Sequence, residues 1–422
     1  MTLPTKWSPL LQGDARSAAL HAIDTIAAEL STPERLGALS PTLSGGQAGA
    51  ALLFAYLGRS GAPGSHADLA ERLLGAATEA VGSTGMLPDL YSGFTGITWA
   101  VEHLQGTLDP EEDALVGIDE ALEGLLRTSP WQYHYDLVSG LVGFGVYLLE
   151  RLPREGARRG LELLVARLAE LAEPAGGGLR WWTPAPLVMG EMRGRFAQGA
   201  CNMGVAHGMP GVLAILAGAE AAGISPEQAR VLLRGGWDWL LSQRLPDTAS
   251  SRFPTWLSAD DVVHARQPAW CYGDPGLSLT LLTVARTAKD AAWEEEALTF
   301  CRETARRWSD VAKARDAGLC HGAAGLGHLY NRLFHETGEG LFADAAHAWF
   351  SHALSLRRPG QGVAGFSAFE FGPDGSERWV ETPGLLTGAA GIGLALLAAT
   401  SDVEPAWDRM LLMSLRPSPS TP

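Results

Sequence analysis

A Gly-x-x-Gly step opens a run of apolar residues seven times along this chain of 422 residues. The copies run from Gly46 to Gly49, Gly93 to Gly96, Gly140 to Gly143, Gly208 to Gly211, Gly273 to Gly276, Gly322 to Gly325 and Gly388 to Gly391. Helix-like apolar segments follow, such as AALLF after Gly49, FGVYLL after Gly143 and IGLALL after Gly391. A chain this long exceeds the roughly 250 to 300 residues at which one core stops growing, so it must divide or repeat. The copies span nearly the whole length, which favours the repeat.

Between the copies lie amphipathic stretches, with apolar residues three and four apart and charges between them: Asp14 to Leu30, Ala67 to Val81, Pro110 to Leu126, Gly160 to Leu171, Pro226 to Leu241 and Trp293 to Trp308. Charges are few in the Gly-led segments, as in buried helices. Alternating outer and inner helices, seven of each, predict an all-α fold, a closed α/α toroid forming one domain over residues 1–422. A composition with 46% hydrophobic residues, 19% charged and 51 glycines fits helices meeting through small residues.

The intervals between first glycines are 47, 47, 68, 65, 49 and 66 residues, so three of them carry about twenty extra. These are expected as loop insertions near Ala175 to Ala200, Pro246 to Pro268 and Arg357 to Pro383, rich in Gly, Pro and Trp. Each precedes an inner helix, and loops entering inner helices share one rim, so the insertions should surround one mouth.

Net charge is −15 with no basic run, which leaves no counterion-releasing surface for nucleic acid. The first residues lack a basic start, apolar core and small-residue cleavage site, so the chain is expected to stay in the cytoplasm. Pro383 to Thr400 is uncharged and long enough to suggest a membrane span, but it contains four glycines and repeats the frame, so it reads as a buried helix.

Residues just before the first glycines separate the copies. Ser92, Ser139 and Thr387, with Ser44 one position further back, are helix N-cap types, and capping accounts for them. Three copies differ, reading Ala206-His207-Gly208, Trp270-Cys271-Tyr272-Gly273 and Leu319-Cys320-His321-Gly322, and Asp136 stands four residues before Gly140. Repeat symmetry alone should turn His207, Cys271, Cys320 and His321 toward the same end of the central cavity. Two cysteines and a histidine suit one zinc ion with a fourth position open, as in catalytic sites. A substrate thiol is the natural fourth ligand, kept nucleophilic as thiolate.

His207 stands outside that ligand set and suits proton transfer, with a cap or core hydrogen bond as its alternative. Asp136 either holds His207 or caps a helix. Trp270 and Tyr272 either wall the site or pack in the core. Asp274 with Pro275 reads as a helix start. Cys201 and Cys301 are out of register and read as packing. His264, His328, His335, His347 and His352 have no repeat-defined partner and are expected mostly at the surface or at caps.

These residues resemble a known family, the lanthionine synthetase C-like cyclases, and within it the stand-alone enzymes of class I lanthipeptide biosynthesis. The resemblance rests on Asn202-x-Gly204-x-Ala206-His207-Gly208, Trp270-Cys271-Tyr272-Gly273-x-Pro275-Gly276, Cys320-His321-Gly322-x-x-Gly325 and Gly384-Leu385-Leu386-x-Gly388-x-x-Gly391, and covers almost the whole chain. It implies a toroid with a zinc site in its cavity and a precursor peptide, leader plus core, whose Ser and Thr a separate dehydratase has dehydrated. Peptide Cys thiols then add across dehydroalanine or dehydrobutyrine to give lanthionine or methyllanthionine.

By matching motifs, the resemblance makes Cys271, Cys320 and His321 the zinc ligands, His207 the acid/base and Asp136 its companion. A dehydratase and an exporter are the implied partners, with membrane association only through such a complex. An arginine that the family carries four residues before the first zinc Cys is Gln267 here, with Arg266 adjacent as a candidate replacement at the active site. The first two insertions look like candidates for leader contacts. Two other readings fit the same residues: a zinc-stabilised toroid that binds modified peptides without catalysis, and an enzyme adding a small thiol such as glutathione.

Overall fold

The computed structural model describes residues 6–106, 113–190, 192–372 and 375–416. The start of the amphipathic stretch expected from Pro110 and small parts of the first and third insertions lie outside them. Seven inner helices, Gln47–Arg59, Phe94–Gln105, Leu141–Arg151, Met209–Ala221, Asp274–Thr287, Ala323–Thr337 and Ala389–Thr400, each pack against the next, and the seventh packs against the first. Seven further helices among the described residues, Gly13–Leu30, His66–Ser83, Val116–Leu126, Glu155–Leu171, Pro226–Ser242, Ala291–Arg307 and Gly340–Ser355, alternate with them along the chain on the outside. The fold is the α/α toroid. The last inner helix, from the stretch long enough to suggest a membrane span, is buried along its whole length. Among the described residues no helix is long and apolar enough to cross a membrane.

The glycine steps have a cause that the sequence reading missed. Every inner helix takes its first glycine, not a preceding Ser or Thr, as N-cap, and none has a side-chain cap. In six of the seven the loop before the helix doubles back and its carbonyls take free helical N–H groups instead; the exception is Met209–Ala221, with Pro210 in its first turn. Thus Ala323, Ala324 and Gly325 donate to Asp316, Ala317 and Gly318, each seven residues earlier. Such a fold-back presses backbone onto backbone: a Cβ on Gly96 would lie 1.7 Å from the Leu90 carbonyl oxygen, and one on Gly391 1.8 Å from that of Leu385. Only glycine fits there.

The same loops join one another. Amides of Ser44, Leu90, Leu137, Ala206, Cys271, Cys320 and Leu386 donate in turn to the carbonyls of Tyr91, Val138, Ala206, Cys271, Cys320, Leu386 and Ser44, at 2.8 to 3.4 Å. All seven acceptors stand two residues before a first glycine. The result is a closed belt of backbone hydrogen bonds around one rim.

The insertions are not plain loops. Ala172–Ala175, Gly178–Thr183, Ala200–Asn202, Pro254–Leu257 and Val262–His264 form a five-stranded antiparallel sheet in that order, and Ala368–Phe371 pairs with Glu377–Val380 in a hairpin. With three to six residues each, these strands are too short to show alternation in the sequence.

Residues 406–413 fill the interior. Trp407, Asp408 and Met410 to Met413 are buried, Tyr91 donates to the Met410 carbonyl, and the indole N–H of Trp270 donates to that of Leu411. Deeper along the sixth inner helix, Asp408 takes Arg332 at 2.8 Å and His328 Nε2 at 3.0 Å. His328, expected at the surface or a cap, is therefore fully buried, and its partner lies 80 residues away. His335 is also buried, stacked 3.9 Å from Trp7.

Candidate active site

The belt sets the chemistry. Positions two residues before the first glycine hold Ala206, Cys271 and Cys320 on consecutive joints, and the next positions hold His207, Tyr272 and His321. Cys271, Cys320 and His321 offer ligand atoms that all lie within 4.8 Å of one another. Tetrahedral zinc with bonds of about 2.3 Å to sulfur spaces its ligand atoms by about 3.8 Å, which this cluster can meet with small side-chain adjustments. Asp316, buried, holds Oδ2 at 3.6 Å from His321 Nε2 and accepts the backbone N–H groups of Gly318 and Phe369. Such a carboxylate orients a ligating imidazole.

Electrostatics in the cluster favour one thiolate. The Cys320 thiol, hydrogen-bonded to Cys271, holds Cys271 well below the usual thiol range despite burial, and His321 adds to this. Cys320 keeps its proton and is pushed up. Burial disfavours a charged His321, but the Cys271 thiolate more than offsets it and raises the imidazole to about 9. His321 and Cys271 thus pair as imidazolium and thiolate, and a divalent cation taken up by this donor set would displace the protons of His321 and Cys320.

His207 stands one joint away. Its Nδ1 lies 2.8 Å from Asp136 Oδ2, while Asp136 Oδ1 accepts the Ser139 amide at 2.8 Å. Burial opposes the charged imidazole, yet the hydrogen bond and charge of Asp136 outweigh it, so His207 titrates above its ordinary value. Tyr272 stacks on His207 at 5.7 Å, Trp256 on Tyr272 at 6.4 Å and Phe196 on Trp256 at 5.8 Å. Asn202 fixes this row, since its Oδ1 accepts the Gly204 amide and its Nδ2 donates to the Tyr272 hydroxyl at 2.8 Å.

A cavity of about 750 Å³ opens over these groups and is lined by Asp136, His207, Cys271, Tyr272 and His321, with Arg266 and Gln267 at its side. All three insertions reach it, through Met189, Trp256 and Phe371 among others, as expected of loops on one rim. Trp270 does not. It is buried, edge-on to Tyr91, with its N–H spent on Leu411, so it is a core residue and the wall falls to its neighbour Tyr272.

Asp274 opens its helix and is fully buried, accepting the amides of Arg252 and Phe253 and the Trp308 indole N–H. Cys201 and Cys301 are buried apart from the cluster, and burial pushes each thiol up to about 12. Sequence reasoning missed Asp316 and the role of Asn202. Both stand six residues before a first glycine and accept the amide two residues on, and Thr382 repeats that turn, so the register held the signal.

The family model described as lanthionine synthetase C-like protein matches residues 37–412. The chain belongs to that family. Among curated relatives, nisin biosynthesis protein NisC of Lactococcus lactis subsp. lactis is 25% identical over 255 residues, covering 56% of this chain and 60% of that protein's length. A solved structure titled nisin cyclase superposes with a TM-score of 0.72 at 22% identity, covering 93% of this chain and 96% of that one, and so shares the fold.

Proposed function

We propose that this protein is a zinc-dependent lanthipeptide cyclase acting in the cytoplasm on a dehydrated precursor peptide, leader plus core. The reading is supported chiefly by one observation: a His207–Asp136 pair and a Cys271, Cys320, His321 cluster converge on one cavity. Conjugate addition needs both an activated thiolate and a placed proton. Zinc held by Cys271, Cys320 and His321 would supply a substrate-binding position at which a thiol ionises near neutral pH.

The chain's own residues do the rest. Asp136 engages Nδ1 of His207 and leaves Nε2 to take the thiol proton or return it. As the sulfur bonds to the β-carbon, the alkene electron pair moves to the amide enolate, and the α-carbon then takes a proton from His207. Tyr272, fixed by Asn202 and backed by Trp256, holds the imidazole plane. Arg266, exposed at the cavity beside Gln267, has the place and charge to face the enolate oxygen. The toroid with its insertions works as one domain over 1–422, and a separate dehydratase and an exporter are its partners in the pathway.

Because cyclisation leaves mass unchanged, the test counts free thiols. Purified protein is given a dehydrated precursor, and remaining cysteines are alkylated and counted by mass spectrometry. Thiols should disappear faster with enzyme. Persistence at the no-enzyme rate would overturn cyclisation, and peptide cysteines that persist while the peptide gains the mass of glutathione would point to small-thiol addition.

A further inference from the structure

Among the described residues seven large apolar side chains are exposed, and five of them, Leu87, Tyr133, Met189, Phe371 and Trp379, sit in segments that enter inner helices and so on the rim of the cavity. Their distribution is not that of scattered surface residues. The hairpin Ala368–Phe371 with Glu377–Val380 explains part of it. Phe369 pairs directly with Trp379, and Phe371 lies two residues on, so the three rings share one face of the hairpin. Phe369 is buried and touches both others edge-on, at 5.1 and 5.5 Å, whereas Phe371 is 64% and Trp379 57% exposed.

This face is held in place, not left loose. A lone two-stranded hairpin is marginal in water. Here Arg315 lies 3.7 Å over the Phe369 ring and grips Glu377 through both carboxylate oxygens at 2.6 and 2.8 Å. Phe369 and Phe371 line the cavity, with Met189 on the same lining from the first insertion. Formal charges on that lining balance, Arg195 and Arg266 against Asp136 and Glu370, in a chain whose net charge is −15. The mouth is thus an apolar, electrically neutral opening in an acidic protein.

We infer that the aromatic face of this hairpin, with Met189, grips large apolar side chains next to the reacting residues of the peptide that enters the cavity. The inference rests on the proposed function for the identity of that peptide. An extended chain is the occupant that fits, because Phe371 and Met189 belong to the lining of the cavity that holds His207 and Cys271, so a segment threaded to those groups passes both. Selection by apolar contact also suits a mouth whose lining carries no net formal charge.

Binding tests it apart from catalysis. Labelled synthetic peptides with one Cys flanked by Leu and Phe, or by Ser and Gln, are titrated into the full-length protein and followed by fluorescence anisotropy. The apolar peptide should bind roughly tenfold or more tightly than the polar one, the factor that burying one Leu- or Phe-sized side chain gives. Phe371→Ser with Trp379→Ser should bring the ratio below about twofold, and Phe371→Ser alone should lower it, with zinc content and melting temperature as wild type. Equal affinities in the wild type, or a ratio intact in the double variant, would overturn the inference. Discrimination without thiol loss from a dehydrated precursor supports the surface while the cyclase reading fails; thiol loss without discrimination does the reverse.

Discussion

Asp136 Oδ2 lies 2.8 Å from His207 Nδ1, across 71 residues of sequence, and its other oxygen is occupied by the amide of Ser139. The carboxylate is therefore fixed before the imidazole meets it. Asp136→Asn keeps the shape and removes the charge that raises His207. The limb of the pH–rate profile that reports His207 should move to lower pH, as followed by thiol consumption. His207→Asn should lower the rate by about 10² to 10⁴ at all pH values, the usual contribution of a placed acid/base. An unmoved limb in Asp136→Asn would separate the two residues functionally.

Metal content should divide the four cysteines. Cys271→Ala or Cys320→Ala should lose most of the zinc measured by mass spectrometry of the metal, since each removes one of three ligand atoms within 4.8 Å. Cys201→Ala and Cys301→Ala should keep it, because both thiols are buried elsewhere. Full retention in Cys271→Ala would sink the ligand assignment.

The buried Asp408 should report on stability. Burial opposes its charge, yet Arg332 and His328 hold it down at about 2, below the ordinary 3.8. A carboxyl lowered on folding stabilises the fold above its unfolded value and loses that contribution as pH falls through the folded one. About 2 kcal/mol should therefore be present at pH 5 and fade toward pH 2. Arg332→Met, which leaves Asp408 with only His328 and the Ser414 hydroxyl, should cost about 3 to 5 kcal/mol in urea melts at neutral pH. A cost below about 1 kcal/mol, the range of an exposed ion pair, would show that the segment 406–413 does not hold the ring.

Two alanine substitutions should differ in sign. Gly96→Ala puts a Cβ 1.7 Å from a backbone oxygen and should destabilise by several kcal/mol or prevent folding. Gly75→Ala, on the exposed face of the outer helix His66–Ser83 with nothing within 4 Å, should stabilise by up to about 1 kcal/mol. Similar thermal shifts for both would remove the fold-back explanation of the glycine steps.

The ring and the position of Cys271, Cys320, His321 and His207 were legible in the sequence because a repeat fixes register without long-range information. Ser92, Ser139 and Thr387 misled because capping rules are local, and here the caps are carbonyls of a loop that returns from seven residues away. Trp270 could not be told from Tyr272 by spacing, since its destination, the Leu411 carbonyl, lies 141 residues on. The burial of His328 depends on Asp408 in the same way. The strands of the insertions were hidden by their length, with three residues in Ala200–Asn202 and Val262–His264.

The closed belt of seven amide-to-carbonyl contacts is made by main chain alone. Each joint therefore presents a side chain without depending on which one it is: Ser44, Tyr91, Val138, Ala206, Cys271, Cys320 and Leu386 occupy equivalent sockets. Two adjacent sockets hold sulfur, and a third is filled by a methyl group next to the histidine that handles protons. The scaffold is in effect a seven-place holder, so a ligand could be moved to another place without redesigning the fold that carries it.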